Sequence, residues 1–399
     1  MMSRDGKRQI AASWLSIAML LAFVLASSPM RVGAQTFSSG SDGSDGAFSP
    51  SGPSGTVLLF DPSQFHGSQV SANIFNFTTI TIPAGVTVRL SGNVINAPVF
   101  WLAQGDVDIE GAIELSGGKG QDGTSNPFAR VPSIPGSGGY AGGVGGNTTQ
   151  AALPGSGPGG GAKAIAGAHA GGGNFSGNNF LIPLVGGSGG GGGFTSGSSY
   201  FDPGGGAGGG ALLIASSTQV VVNGYIIANG GAAGGSQRDT CAGGGSGGAI
   251  RLISNTVAGT GVLLANGGSS CYFYGGTGIV RLEGYTIAFS GSVQPTPSQS
   301  SPFPLLLPSA GVATAKVISI NGAVITPNPN TFPDITINTT AAVPVVVQTH
   351  NIPTTATVNL TILDENGVAD TTVQAPPVGD CDAANTCTTT VDVVFPFGA

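Results

Sequence analysis

Between Ala211 and Val293 the chain writes nearly the same phrase twice and begins it a third time. ALLIASSTQVVVNGYIIANGG (Ala211–Gly231) is followed by AIRLISNTVAGTGVLLANGG (Ala249–Gly268). CYFYGGTGIVRLEGYTIAFSGSV (Cys271–Val293) then aligns without a gap on CAGGGSGGAIRLISNTVAGTGVL (Cys241–Leu263), at an offset of 30 residues. Cys271 falls on Cys241, Arg281 on Arg251, Leu282 on Leu252, Ile287 on Val257 and Gly291 on Gly261. An earlier copy, VFWLAQGDVDIEGAIELSGG (Val99–Gly118), keeps Gly111 in the place of Gly224 and Gly117 in that of Gly230. A unit this short cannot bury its own apolar face, so copies must stack on one another.

The content of each copy says how they stack. The apolar runs are short, rich in Val, Ile and Leu, and cut by Gly, Asn, Ser and Thr, which favours strands over helices. Stacked strands would pair backbone to backbone at about 4.8 Å. The sequence therefore predicts an all-β chain whose main body, residues 56–293, is a parallel β-helix (solenoid). Asn229–Gly231 and Asn266–Gly268 suit corners that need positive φ. Cys241 and Cys271, equivalent on adjacent rungs, would fall within the roughly 4.4–6.8 Å that a disulfide needs between Cα atoms.

The flanking segments differ in kind. Residues 1–34 read as a signal peptide, with Arg4, Lys7 and Arg8 before an apolar centre at Trp14–Ala26 and a small-residue cleavage site at Val32-Gly33-Ala34. That predicts secretion to the exterior or cell surface, with no membrane insertion after cleavage. Residues 35–55 are a Gly/Ser linker. Within the main body, residues 119–210 read as a glycine-rich insertion, punctuated by Tyr140, Phe175, Phe180, Tyr200 and Phe201, and either laid on the solenoid or disordered. A proline-rich linker, 294–310, leads to residues 311–399. There, six or seven strand-like runs at short spacing predict a small Ig-like β-sandwich. Cys381 and Cys387 bracket CDAANTC and are expected to close a surface loop by a disulfide.

Charge excludes some partners. Loss of residues 1–34 leaves eight basic and 18 acidic residues, a formal charge of −10. Such a chain is a poor ligand for nucleic acid or anionic membrane. Collagen is excluded because the 71 glycines have no G-X-Y period.

Chemistry is sparse. Asp106, Asp108 and Glu110 alternate with Val107 and Ile109, so three carboxylates share one outward strand face. They are candidates for acid–base work on a glycan, or for calcium, against the simpler reading of a solvated face. Arg251 and Arg281 would stack one above the other, placed to grip acidic sugars or, on the simpler reading, to sit on the outer face near carboxylates. His66, His169 and His350 form no motif, no GxSxG elbow occurs, and no zinc ligand set is present, so neither a metal nor a cofactor other than calcium is expected. Tyr200, Phe201, Tyr272, Phe273 and Tyr274 are candidates for stacking on sugars.

The motifs GDVDIEGAIELSGG, GGGSGGAIRLISNTVAGTGVLLANGG and GTGIVRLEGYTIAFSG resemble the rungs of glycine-rich secreted bacterial β-solenoid proteins. They are similar in style to filamentous-haemagglutinin-type adhesins and to glycine-rich exported proteins of soil bacteria. The resemblance covers about residues 75–293 and implies surface display; no catalytic residue carries over. Together these readings favour an exported, non-enzymatic structural or adhesive protein that contacts extracellular polysaccharide or a cell-surface component. A β-helix polysaccharide lyase or glycoside hydrolase using Asp106, Asp108 and Glu110 is the alternative.

Overall fold

The structure is a computed structural model. It describes residues 36–65, 73–124, 130–165, 168–195, 199–235, 240–308, 314–325, 335–362, 371–376, 378–379, 381–382 and 386–395. The signal-peptide reading of residues 1–34, and His66, lie outside the described residues. Within these bounds the chain is β-structure and irregular backbone, with a single 3₁₀ turn at Pro62–Gln64.

Two parallel sheets share one core. The larger has nine strands: β1 (Gly46–Phe48), β3 (Ile74–Ile82), β5 (Val99–Ala103), β6 (Val107–Ile109), β8 (Ala211–Ser216), β9 (Gln219–Val222), β11 (Ala249–Gly259), β13 (Ile279–Phe289) and β15 (Ser298–Ser300). The smaller has six: β2 (Thr56–Leu59), β4 (Val86–Arg89), β7 (Ala112–Glu114), β10 (Tyr225–Ile227), β12 (Val262–Leu264) and β14 (Ser292–Gln294), in the spatial order β14-β12-β10-β7-β4-β2. Strand and turn chemistry agree locally. β3 and β4 flank Pro83-Ala84-Gly85, where Gly85 takes φ +80°, a region open to glycine at no steric cost. β11 and β13 pair residue for residue at the offset of 30, Arg251 beside Arg281 and Val257 beside Ile287.

Inward side chains from both sheets, among them Val88, Ile109, Ile113, Val220, Ile226, Val257 and Leu263, form one buried cluster. Burial of each contributes about 1.5–3 kcal/mol. Rings fill its N-terminal end. Phe48 lies 5.3 Å from both Phe77 and Trp101, and Phe60 lies 4.9 Å from Phe75. A second cluster covers the other face of the larger sheet, where Ile74, Leu213 and Ile253 meet Leu181 and Leu184.

The glycine-rich segments follow a different rule. Along residues 203–210 the backbone N–H groups serve three neighbours in rotation. Gly204, Ala207 and Gly210 donate to the carbonyls of Gln121, Gly118 and Leu115; Gly205 and Gly208 to Gly143 and Tyr140; Gly206 and Gly209 to Gly243 and Ser246. These bonds are 2.7–3.0 Å long. A β-strand, with period two, can serve only two sides. A period of three belongs to an extended helix of the polyproline-II type, which makes no internal hydrogen bonds and sends its polar groups outward. Residues 186–193 behave alike: Gly187, Gly190 and Gly193 donate to Gly209, Gly206 and Pro203, while Gly189 and Gly192 donate to Ser156 and Leu153. The result is a lattice of extended chains in which buried backbone groups find partners without strands.

This overturns the predicted fold class. The parallel β-helix with a glycine-rich insertion and an Ig-like sandwich is not what forms. Separate nine- and six-stranded parallel sheets enclose the core, a barrel-like arrangement of sheets and not a β-helix solenoid. The physical reason is the glycine. A β-helix fills its interior with side chains from every face, and these runs have none to offer, so backbones meet backbones instead. The lattice is also no insertion confined to 119–210, since residues 228–231, 243–248, 268 and 275–278 belong to it by the same hydrogen bonds. Gly230, Gly231, Gly267 and Gly268 are not positive-φ corners. They are lattice positions where a Cβ would lie 1.8–2.0 Å from a carbonyl oxygen.

The C-terminal residues depart from the expected sandwich too. They form a four-stranded antiparallel sheet in the order β17 (Ala323–Val324), β16 (Thr314–Ile320), β18 (Val343–His350), β21 (Thr386–Val393), and a separate pair, β19 (Asn359–Ile362) with β20 (Thr371–Gln374). Val345, Val391 and Val393 of the first pack with Leu360 and Val373 of the second. One face of a four-stranded sheet is thus covered by a single hairpin, which is all the apolar surface these alternating strands supply.

A glycine test follows. A Cβ at Gly206 would sit 1.9 Å from the Gly231 carbonyl oxygen, whereas one at Gly379 meets nothing within 4 Å. Gly206→Ala is expected to cost roughly 3 kcal/mol by forcing two lattice chains apart, and Gly379→Ala less than about 0.5 kcal/mol. Denaturant unfolding of the two variants measures the difference.

Candidate functional site

The acidic strand is where the sequence placed it. Val107 and Ile109 are fully buried, Asp106 and Glu110 are exposed, and Asp108 is half-buried between them. β6 lies between β3 and β9, so polar residues of the next layer meet these carboxylates. Asp106 accepts from Thr218 Oγ1 (2.6 Å) and Gln219 Nε2 (3.1 Å), and Glu110 from Asn223 Nδ2 (2.8 Å). Asp108 is the odd one. Burial, then the charges of Asp106 and Glu110, raise its pKa above the ordinary carboxylate value. An acid–base pair needs two carboxyl groups with room between them for a substrate, and these three lie side by side along one short strand. No group of three or more acidic, histidine or cysteine side chains among the described residues is arranged to hold a metal ion.

Arg251 and Arg281 are not on an outer face. Both are buried, and both grip Glu283: Arg251 Nε donates to Oε1 at 2.8 Å and Nη2 to Oε2 at 3.2 Å, and Arg281 Nε donates to Oε1 at 2.6 Å. The backbone N–H of Phe303 donates to the same carboxylate at 2.7 Å. Arg281 further donates to Asn179 O and Ser300 Oγ, and lies 5.1 Å from the centre of the Phe180 ring. The sequence showed the stacked arginines. It missed that residues 179–184 and 300–307 close over them, because nothing local in a proline- or asparagine-rich loop says which sheet face it will cover. The triad is therefore a structural bolt.

The aromatic candidates separate. Phe201 is only 5% exposed, its backbone bridged to Thr124, so it cannot stack on a ligand; Tyr200 is exposed. Tyr272, Phe273 and Tyr274 are 60%, 45% and 67% exposed and consecutive. Their backbone is held. Cys271 is bonded to Cys241, with Cα atoms 5.9 Å apart; the Phe273 carbonyl accepts from Gly244, and the Tyr272 N–H donates to Ser270 Oγ. The Tyr272 ring stacks on His169 at 4.3 Å, and Phe273 stands edge-on to it at 5.0 Å. This is a rigid aromatic ledge on the rim of the lattice. The second disulfide joins Cys381 and Cys387.

The structure adds a groove that sequence reasoning did not find. It has a volume of 510 Å³ and lies along the edge strand β2 and the loop at 131–135. None of Asp106, Asp108, Glu110 or the ledge aromatics lines it. No protein-family model, curated protein or solved structure matches the chain.

Two expectations test these assignments. Replacing Glu283 by Gln leaves two buried guanidinium groups without their counter-charge and is expected to cost about 3–5 kcal/mol, whereas exchanging all three members for apolar residues of similar volume is nearly neutral; denaturant unfolding compares them. For Asp108 the folded pKa lies above the unfolded one. Its charged form therefore opposes folding, an effect absent below about pH 3.9 and established as pH rises through the folded value. Asp108→Asn should raise the melting temperature at pH ~7 and leave it unchanged at pH ~2.5.

Proposed function

We propose that the protein is an exported, non-enzymatic adhesive or structural surface protein that contacts extracellular polysaccharide. The carrying observation is the ledge of Tyr272, Phe273 and Tyr274. Three exposed rings in succession are costly to leave in water, and here a disulfide and lattice hydrogen bonds hold them there. Rings pre-set in this way lose little entropy when a flat apolar face, such as that of a sugar ring, lies on them. Two disulfides among the described residues fit an oxidising compartment, and no helix among those residues is long and apolar enough to cross a membrane. The N-terminal signal-peptide pattern supports export.

The acidic strand supports an enzymatic reading less well. Asp106 and Glu110 are engaged by neutral side chains of the next layer, and the groove lies elsewhere.

The test is incubation with a panel of plant and bacterial polysaccharides, with and without calcium, scoring retention on the polymer and release of new sugar ends. Retention without cleavage is expected. A variant carrying Tyr272→Ala, Phe273→Ala and Tyr274→Ala should lose about tenfold or more in affinity with its melting temperature unchanged. Release of sugar ends that disappears in Asp108→Ala would replace this reading by the enzymatic one.

A further inference from the structure

The described residues include seven lysines and arginines, and four of them are occupied. Arg251 and Arg281 are spent on Glu283, Arg130 is buried against the carbonyls of Gly145 and Ala151, and Lys119 pairs with Asp122. Arg89, at the end of β4, is exposed, and its guanidinium makes no hydrogen bond or ion pair among the described residues. Its in-register neighbour on β7 is Glu114, yet that carboxylate accepts from the Ser116 N–H and forms no ion pair with it. Arg89 and Lys119 both line the 510 Å³ groove.

The walls of that groove are apolar and wet. Val57 is 61% exposed, and Leu59, Val131 and Ile134 are exposed beside it. Val57 and Leu59 stand on β2, the last strand of the six-stranded sheet, which among the described residues pairs only with β4. A concavity of this size with apolar walls and a few converging polar groups has the build of a ligand site. In a chain of net charge −7, Arg89, whose charge no ion pair among the described residues offsets, gives this groove a preference for an anion, with Lys119, paired with Asp122, beside it. A guanidinium presents a planar fork that matches a carboxylate bidentately. A ligand that fits the groove carries a carboxylate beside an apolar face, and on the polysaccharide reading that ligand is an acidic sugar chain.

We infer that this groove binds a carboxylate-bearing polysaccharide, a uronate-type chain, with Arg89 taking the carboxylate, Lys119 released from Asp122 to assist, and Val57, Leu59, Val131 and Ile134 meeting the sugar faces. The inference rests on the polysaccharide-binding reading but concerns a site separate from the aromatic ledge. It gives that reading a substrate class.

The experiment compares affinity of the full chain for polygalacturonate and for the same polymer fully methyl-esterified, which keeps the sugar faces and removes the charge. Polygalacturonate should bind about tenfold tighter or more, the difference should shrink as salt rises, and Arg89→Gln should abolish it while Arg89→Lys keeps part. Unchanged melting temperatures show that these exposed-site variants fold. Equal affinity for the two polymers, or an Arg89→Gln protein that still distinguishes them, overturns the groove assignment. If binding then depends on Tyr272, Phe273 and Tyr274, the adhesive reading stands without it. Binding to neither polymer nor to any of the panel removes both. Equal affinity for polyglutamate overturns the glycan assignment in favour of a general anion site.

Discussion

Everything in the parallel part of the molecule depends on backbones approaching closer than side chains allow. In the glycine lattice, neighbouring chains hydrogen-bond at 2.7–3.3 Å with no side chain between them. Cβ atoms at Gly205 and Gly208 would fall 1.9 and 1.8 Å from the carbonyl oxygens of Gly190 and Gly187. Glycine is the most expensive residue to order, so the lattice stands only because nearly every N–H it fixes finds a partner. The sheets profit directly. The segment at 203–210 runs straight into β8 and that at 243–248 into β11, so lattice register sets strand register.

Sequence reasoning caught the strands and missed the lattice for a reason that can be named. Strand positions announce themselves by side-chain pattern: alternation at 107–110, apolar runs at 99–103, and the duplication at 241–263 and 271–293, whose offset reappears as the pairing of β11 with β13. Glycine runs have no side-chain pattern, and their information lies in a backbone period that letters do not show. What they did show was the interruption by Tyr140, Phe175 and Phe180, at odds with a purely flexible linker. The sandwich expectation failed differently. The alternation in 343–350 and 386–393 was visible, but how many strands would share one sheet was not, since pairing partners in antiparallel sheets are set by cover from elsewhere.

The same division holds for the sites. Asp106, Asp108 and Glu110 share a face because a period of two dictates it, and that much was legible. Thr218, Gln219 and Asn223, which hold two of them, lie in and beside β9, 112–113 residues further on. The aromatic run at 272–274 was visible as letters, and its exposure rests on the disulfide and on lattice bonds. The groove was invisible, because Val57, Arg89, Lys119 and Ile134 come from four separated stretches that meet only through the six-stranded sheet and the lattice beside it.

The three-way rotation of hydrogen bonds at 203–210 also governs how such a chain can change length. In a strand, inserting or deleting one residue turns every later side chain to the wrong face, and two restore it. In an extended glycine helix the identity of the neighbour returns after three. Successive layers already differ greatly in their spacing, since Ala112 pairs with Tyr225, Tyr225 with Val262 and Val262 with Ser292. A lineage of this protein could therefore grow or shrink its glycine arms by triplets while the strands kept an even count, and the two arithmetics would leave separate marks in the lengths of its descendants.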